Sequence, residues 1–178
     1  MEEHHHSDSP LPNRGIRIPF EQFLELFPIL PLPVTLSEEA AHNFSLENDV
    51  LHALMIEQYI LPLEGEIDEL TEFVPCFRFP GTDSFHAIVY WKAGLLQYNF
   101  VLVTYTSTGR LIDRRVLAGT FVQGDTVTQS VATIDQDWIV SVVSGQTRAG
   151  KDVLYDAASS KFTNLEVMAD GTIIDEEE

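Results

Sequence analysis

The chain has 178 residues, and its 44% hydrophobic and 21% charged residues exclude a wholly disordered protein and fit a single domain with one substantial core. Asp and Glu number 28 against 10 Lys and Arg, a net charge of −18, which disfavours binding to nucleic acid and favours a basic protein partner. Residues 1–72 contain 15 acids and 2 bases (net −13), whereas residues 73–178 contain 13 acids and 8 bases (net −5).

The first fifteen residues are polar and aperiodic, which predicts a disordered arm before one α+β domain over residues 16–178. His4, His5 and His6 lie in this arm, and consecutive residues of a flexible segment do not present a fixed metal geometry. The start of the chain lacks the pattern of a secretory signal, and no apolar run approaches the length of a membrane span. We therefore expect a cytoplasmic protein that does not bind a membrane.

A helical part is predicted over residues 19–62. Its first helix, Pro19–Phe27, begins with proline and places four apolar residues on one stripe: Phe20, Phe23, Leu24 and Phe27. The proline-rich stretch Pro28–Val34 then predicts a stiff extended connector.

Two further helix starts are predicted, at Ser37, which is followed by acids, and at Ser45, whose "SLEN" is close to a capping box. The helix from Ser45 is expected to run to about Tyr59, and Pro62 closes the helical part. Residues 63–72 are predicted as a loop or a poor helical turn. The helical spacing is carried by Leu46, Val50, Leu51, Leu54 and Met55.

Residues 73–174 predict an antiparallel β-meander, because β-branched and aromatic residues alternate with short turn sequences. Several strands are apolar on both faces, so we expect the helices to cover one face and curling of the sheet to bury the other. The fold class is therefore α+β, with N-terminal helices on a strongly twisted or barrel-like meander of seven to nine strands. The predicted strands are Phe73–Phe79, Phe85–Lys92, Leu96–Thr106, Leu111–Gln123, Thr126–Asp135, Trp138–Ser144, Val153–Asp156, Phe162–Met168 and Thr172–Ile174.

Two similar stretches, "TSTGRLID" and "MADGTIID", contain Gly109 and Gly171. Each glycine stands where a polar stretch becomes a run of aliphatics, which is typical of a hairpin turn and requires no catalytic role. The aspartates that follow, Asp113 and Asp175, are expected to face solvent or the next turn.

A cysteine-dependent hydrolase is the weakest functional hypothesis. If residues 80–84 form the loop, Arg78 faces His86 and Cys76 shares their sheet face, with Asp83 nearby. The sequence supplies no glycine-flanked nucleophile for an oxyanion hole, so a buried hydrophobic role for this single cysteine is favoured. An enzyme is less expected than a non-enzymatic protein.

An aromatic group on adjoining strands is the second candidate, because it can line a ligand pocket if a barrel stays open at one end. Core packing is the alternative. The ligand-lining candidates are Tyr90, Tyr98, Phe100 and Tyr105, with Trp91 among them in sequence.

A run of acids before the meander is the candidate surface for a basic partner: Glu64, Glu66, Asp68, Glu69 and Glu72. Its spacing does not match a calcium-binding loop, and no metal or cofactor is expected.

The run from Phe23 to Pro33, which contains Phe27-Pro28 and Leu32-Pro33, precedes a meander with "TSTGRLID" and "ATIDQDWIV". Over residues 20–175 the chain resembles a group of uncharacterised bacterial proteins with a Phe-Pro-x-x-x-Leu-Pro stretch ahead of antiparallel strands. The resemblance implies helices followed by a sheet, and it assigns no activity and no catalytic residues.

The leading hypothesis is a non-enzymatic protein that binds a basic protein, as an immunity-type protein does with a basic toxin. The alternative is a small-molecule-binding module with an aromatic-lined cavity. The sequence does not predict the oligomeric state.

Overall fold

The computed structural model describes residues 15–148 and 160–176, and these ranges contain nine β-strands. Strands β2 to β9 follow one another in chain order through a single antiparallel sheet that is not closed, and β1 pairs with β6. This confirms the predicted α+β meander. Residues 1–14, with the three histidines, and the predicted strand Val153–Asp156 lie outside the described residues. The strands are β1 Val34–Leu36, β2 Glu72–Arg78, β3 Phe85–Ala93, β4 Gln97–Thr106, β5 Leu111–Gln123, β6 Thr126–Ile134, β7 Ile139–Arg148, β8 Lys161–Val167 and β9 Ile173–Asp175.

The helical part contains α1 (Phe20–Glu25), α2 (Glu38–Glu47) and a composite segment from residue 53 to 64. That segment joins α3 (Ala53–Met55), a π-helical turn and α4 (Leu61–Glu64). Ser37 begins α2 as predicted, because its Oγ accepts a hydrogen bond from the Ala40 N–H at 3.3 Å.

The predicted helix from Ser45 to Tyr59 is wrong. Ser45 lies inside α2, where its hydroxyl donates to the His42 carbonyl, and the chain leaves the helix at Asn48. The Asn48 side-chain amide donates to the Pro75 and Cys76 carbonyls at 2.7 and 2.8 Å, so it ties the irregular residues 48–52 to β2. The sequence pattern missed this break because a contact distant in sequence decides it.

Strands β3 and β4 are buried on both faces, as the sequence predicted. One face contributes Val89, Phe100 and Leu102 to a core that also contains residues of β6 to β9. The other face contributes Tyr90 and Val101 to a second core, which α1 and the composite segment cover, whereas α2 packs on the first core.

The connector after α1 covers the last residue of the free edge of β2. The Arg78 N–H donates to the Pro28 carbonyl at 2.9 Å, and the Leu30 N–H donates to the Arg78 carbonyl. The predicted extended connector is therefore correct, except that its last residue, Val34, already belongs to β1, which pairs with β6.

Gly109 and Gly171 both lie in turns between strands, with φ of +87°, as predicted. Asp113 differs from its prediction, because its carboxylate accepts the Ile173 N–H of β9 at 2.9 Å. Arg115 pairs with Asp113 at 2.6 Å and donates to the Ile173 carbonyl. These two side chains of β5 therefore satisfy the backbone of β9 where the sheet curls back.

Candidate functional site

Two adjoining cavities lie between α2 and the ends of strands β2 to β6. The larger, about 400 Å³, is bordered by α2, β2, β3 and β4, and the smaller, about 230 Å³, by the start of α2 with β3, β4, β5 and β6. Both border Glu38 and Trp91, and we call the pair of cavities the mouth. The open end of a curled sheet is a common position for a binding site.

The pairing register assembles the mouth from residues far apart in sequence. Directly opposite partners run across five strands in the row Glu72, Ala93, Tyr98, Thr120 and Gln129. Partners in a row share one sheet face, so an acid, a small residue, an aromatic and two polar groups lie side by side. The small side chain of Ala93 leaves space between Glu72 and Tyr98.

The aromatic wall of the mouth is formed by Trp91, Tyr98 and Phe100. The Trp91 and Tyr98 rings are stacked, with centroids 6.2 Å apart and planes 6° apart, and the Phe100 ring is 4.6 Å from Trp91. Phe100 is buried, whereas Tyr98 is 38% exposed. The stacked pair therefore presents an accessible aromatic surface.

The charged groups of the mouth are Glu38, at the start of α2, and Glu72, at the start of β2; both are exposed. No lysine or arginine borders either cavity, and His42 is the one basic side chain in the wall of the larger one. Within residues 15–148 and 160–176, the ion pairs of lysine and arginine involve Glu64 and Asp113. The mouth therefore offers unneutralised carboxylates beside an aromatic pair, an arrangement that attracts cations.

Gly119 also borders the mouth, where β4 and β5 approach closely. A Cβ atom on Gly119 would lie 1.9 Å from the Tyr98 carbonyl oxygen. Any side chain here would push the two strands apart and displace Tyr98, so the shape of the mouth requires glycine.

The hydrolase candidates do not come together. The observed register pairs Arg78 with Ile88 and places Cys76 at a bulge, so the predicted pairing of Arg78 with His86 is wrong. Cys76 is fully buried in the core shared with β6 to β9, whereas His86 packs on Phe20 of the helix-covered core. Asp83 is exposed in the β2–β3 loop.

The local electrostatics of Cys76 also oppose nucleophilic chemistry. Burial raises the pKa of the Cys76 thiol well above its usual value, so the thiolate is scarce at neutral pH. Burial, with Arg78 nearby, lowers the pKa of His86. Cys76 acts as a buried hydrophobic side chain.

The four predicted ligand-lining aromatics divide between the two sheet faces. Tyr98 and Phe100 border the mouth, but Tyr90 and Tyr105 are buried in the helix-covered core. The prediction that these four residues line one cavity is therefore wrong for two of them. The sequence does indicate that Tyr98 and Phe100 belong together, because side chains two residues apart on a strand point to the same sheet face.

The predicted partner-binding acids also divide. Glu66, Asp68, Glu69 and Glu72 are exposed, but the side chain of Glu64 is fully buried. Glu64 binds Lys92 at 2.6 Å and Arg114 at 2.7 Å, and it accepts the Tyr90 hydroxyl hydrogen bond. Glu64 is therefore a structural group and is not available to a partner.

Burial raises the pKa of Glu64, but hydrogen bonds from Lys92, Tyr90 and Arg114 outweigh it and lower the net pKa below its ordinary value. Burial, with the hydrogen bond to Glu64, raises the pKa of Tyr90. The cluster therefore holds one carboxylate between two cations at neutral pH.

Glu38 was missed as a site residue by the sequence analysis. In sequence it is one of two acids after the cap Ser37, which is the ordinary composition of a helix start. Its position opposite Glu72 across the larger cavity depends on how α2 packs on the sheet.

No family model matches the chain, and no curated protein or solved structure matches it either. Among the described helices, none has the length and apolar character needed to cross a membrane. The described residues also contain no group of three or more histidine, cysteine or acidic side chains placed to hold a metal ion.

Proposed function

We propose that this protein binds a basic protein partner and that the mouth accepts a lysine or arginine side chain of that partner. The observation that carries the proposal is the Trp91–Tyr98 stack, in which Tyr98 is exposed and Trp91 half-buried, beside Glu38 and Glu72, two carboxylates without a cation from the described residues. A cation over an aromatic face and beside a carboxylate gains from both contacts.

The charge distribution of the chain supports a basic partner. From Ile18 to Phe77 the sequence contains twelve acids and no lysine or arginine. This stretch supplies α2 and the edge strand β2, which form one wall of the mouth. Opposite fields accelerate encounter between proteins, so association is expected to weaken as salt rises.

The test is capture of partners from the native cell lysate with wild-type protein and with two matched variants. Tyr98→Leu removes the exposed ring of the stack, whereas Phe121→Leu changes a similarly exposed aromatic that does not border the mouth. Neither variant changes the net charge.

A basic protein should be recovered at low salt with wild type and Phe121→Leu, and lost with Tyr98→Leu. Recovery should fall at moderate salt. The proposal is refuted if no partner is recovered, or if the partners are apolar and insensitive to salt. It is also refuted if Tyr98→Leu still recovers the partner.

A small cationic molecule is the second candidate ligand. The 230 Å³ cavity lies against Trp91 and Phe100, and it favours a compact amine over a large apolar ligand. Titration with tetramethylammonium, followed by tryptophan fluorescence, tests this candidate: a saturable change lost in Glu38→Gln, which removes the carboxylate that borders this cavity, supports it, and no change removes it.

The expected absence of enzymatic activity, the cytoplasmic location and the resemblance to uncharacterised bacterial proteins stay predictions.

A further inference from the structure

A third cavity, about 400 Å³, adjoins the mouth on the other side of β2. It is bordered by the five consecutive residues 71–75 on one side and by residues 48–51 on the other, with Ile56 at its wall. Ser45, Glu72 and Val74 border both this cavity and the mouth. We call the third cavity the side groove.

The position of one wall of the side groove is fixed by a specific contact. The Asn48 amide binds the Pro75 and Cys76 carbonyls and so fixes the start of the irregular segment against β2, while Leu51 is buried in the helix-covered core. Because both walls are anchored, the groove is a formed feature of the fold.

An apolar side chain in the wall of the side groove is strongly exposed: Val50 is 78% exposed. Leu46 and Leu54, four residues away in sequence on either side, are 72% and 45% exposed but do not border the groove. An exposed aliphatic in the wall of a formed groove is the kind of group that an apolar side chain of a partner contacts.

The charges around the side groove decide which occupant fits. Asp49 and Glu72 border it, Glu47 and Glu57 are exposed nearby in sequence, and no lysine or arginine borders it. A second copy of this chain would bring the same acids together, and nucleic acid or an anionic membrane would also be repelled. A basic segment with an apolar side chain is complementary in both charge and polarity.

We infer that the basic partner docks through one amphipathic segment, which places an aliphatic side chain in the side groove and a lysine or arginine in the mouth. This inference rests on the proposed function and names the partner's recognition element. Because the two cavities share one wall, occupation of both gives the linked, tighter binding of a bivalent ligand.

The experiment uses peptides of about twelve residues in a glycine- and serine-rich background. One set carries a single arginine, a second a single leucine, and a third carries both at varied separations. Peptide affinity is measured by calorimetry on the full chain. At the best separation, the two-anchor peptide should bind roughly tenfold or more tightly than the arginine peptide, the increment expected from burying one leucine side chain.

Matched variants assign each anchor to its cavity. Val50→Ser should remove most of the gain from leucine and leave the arginine peptide unaffected, whereas Val143→Ser, an exposed valine of β7 that borders none of the three cavities, should change neither. Circular dichroism and thermal unfolding confirm that each variant is folded.

The outcomes separate this inference from the proposed function. If the arginine peptide binds and leucine adds nothing at any separation, the side-groove inference is overturned and the mouth stands. If the leucine peptide binds and arginine adds nothing, the proposed function fails. A Val50-dependent dimer of the free chain, seen by analytical ultracentrifugation, would assign the groove to a second copy and overturn the inference.

Discussion

Glu64 and Glu72 come from the same acidic run, eight residues apart, yet they lie in opposite environments. Glu64 is buried on the helix-covered face, where Lys92, Arg114 and Tyr90 neutralise and bind it. Glu72 lies exposed at the mouth, and none of the lysines and arginines described by the structure pairs with it.

The difference shows that the role of an acid in this chain is decided by the cations that the sheet register brings near it. The side chains of Lys92, Arg114 and Tyr90 lie on the same face of the sheet. The pairing of β3 with β4 and of β4 with β5 places them there. Both cations bind Glu64 on this face. Neither of them therefore pairs with the carboxylates of the mouth, which lies on the other face. Glu64 therefore stabilises the fold, and the exposed carboxylates of the mouth are available to a partner.

Cys76 gives the largest expected effect, because it is an ionisable group that is buried without a cation. Its reaction with a thiol reagent at neutral pH should be at least about a thousandfold slower in the native protein than in denaturant, since the thiol reacts only when the structure opens. The labelling rate is followed by mass spectrometry. Fast native labelling would mean that this region of the core opens readily and would revive the reactive-cysteine hypothesis.

Glu64→Gln should lower the free energy of unfolding by about 2–4 kcal/mol, because Lys92 and Arg114 lose their compensating charge. This loss of unfolding free energy is at the low end of the range for buried ion pairs, because the side chains of Lys92 and Arg114 are 20% and 28% exposed. Urea denaturation measures the change, and Glu66→Gln, an exposed control from the same run, should stay within about 0.5 kcal/mol. Equal stabilities of the two variants would show that the cluster contributes nothing.

The same carboxylate predicts a pH dependence. The pKa of Glu64 is lower in the folded protein than its ordinary value, so its stabilising contribution is present above the unfolded pKa and is lost as pH falls through the folded one. The difference in unfolding free energy between wild type and Glu64→Gln should therefore shrink below about pH 4.5. Urea midpoints at neutral and acidic pH check this, and a difference that stays constant contradicts it.

The mouth carboxylates give the smallest expected effect on stability. Glu38→Gln and Glu72→Gln should change the free energy of unfolding by no more than about 0.5 kcal/mol, with a slight gain where repulsion within the acidic chain is relieved. Glu39→Gln, in the same first turn of α2, is the control. A loss above about 1 kcal/mol would show that these carboxylates have an internal partner and are not free for a ligand.

The meander, the coverage of both sheet faces and the two glycine turns were predictable because they depend on patterns local in sequence. The break after α2 was not, because Asn48 leaves the helix to bind carbonyls of β2. The pairing of Arg78 with His86 failed because the loop was expected at residues 80–84, whereas Phe79 bonds Ala87 and Arg78 pairs with Ile88, a shift of two residues along β3.

Half of the candidate site was visible in the sequence. Tyr98, Phe100 and Glu72 were named, but no sequence pattern separates Tyr98 from Tyr90 without knowing which face the helices cover. Glu38 required the packing of α2, and the role of Glu64 required its cations from β3 and β5.

The most direct test compares two double variants that remove equal charge from the chain. Glu38→Gln with Glu72→Gln alters the mouth, whereas Glu39→Gln with Glu69→Gln removes two exposed acids that border neither the mouth nor the side groove. The affinity of the single-arginine peptide is measured for both. It should fall roughly fivefold or more in the first and less than about twofold in the second, since a long-range charge effect is common to both. Equal losses would mean that overall charge and not the mouth attracts the cation, which contradicts the account.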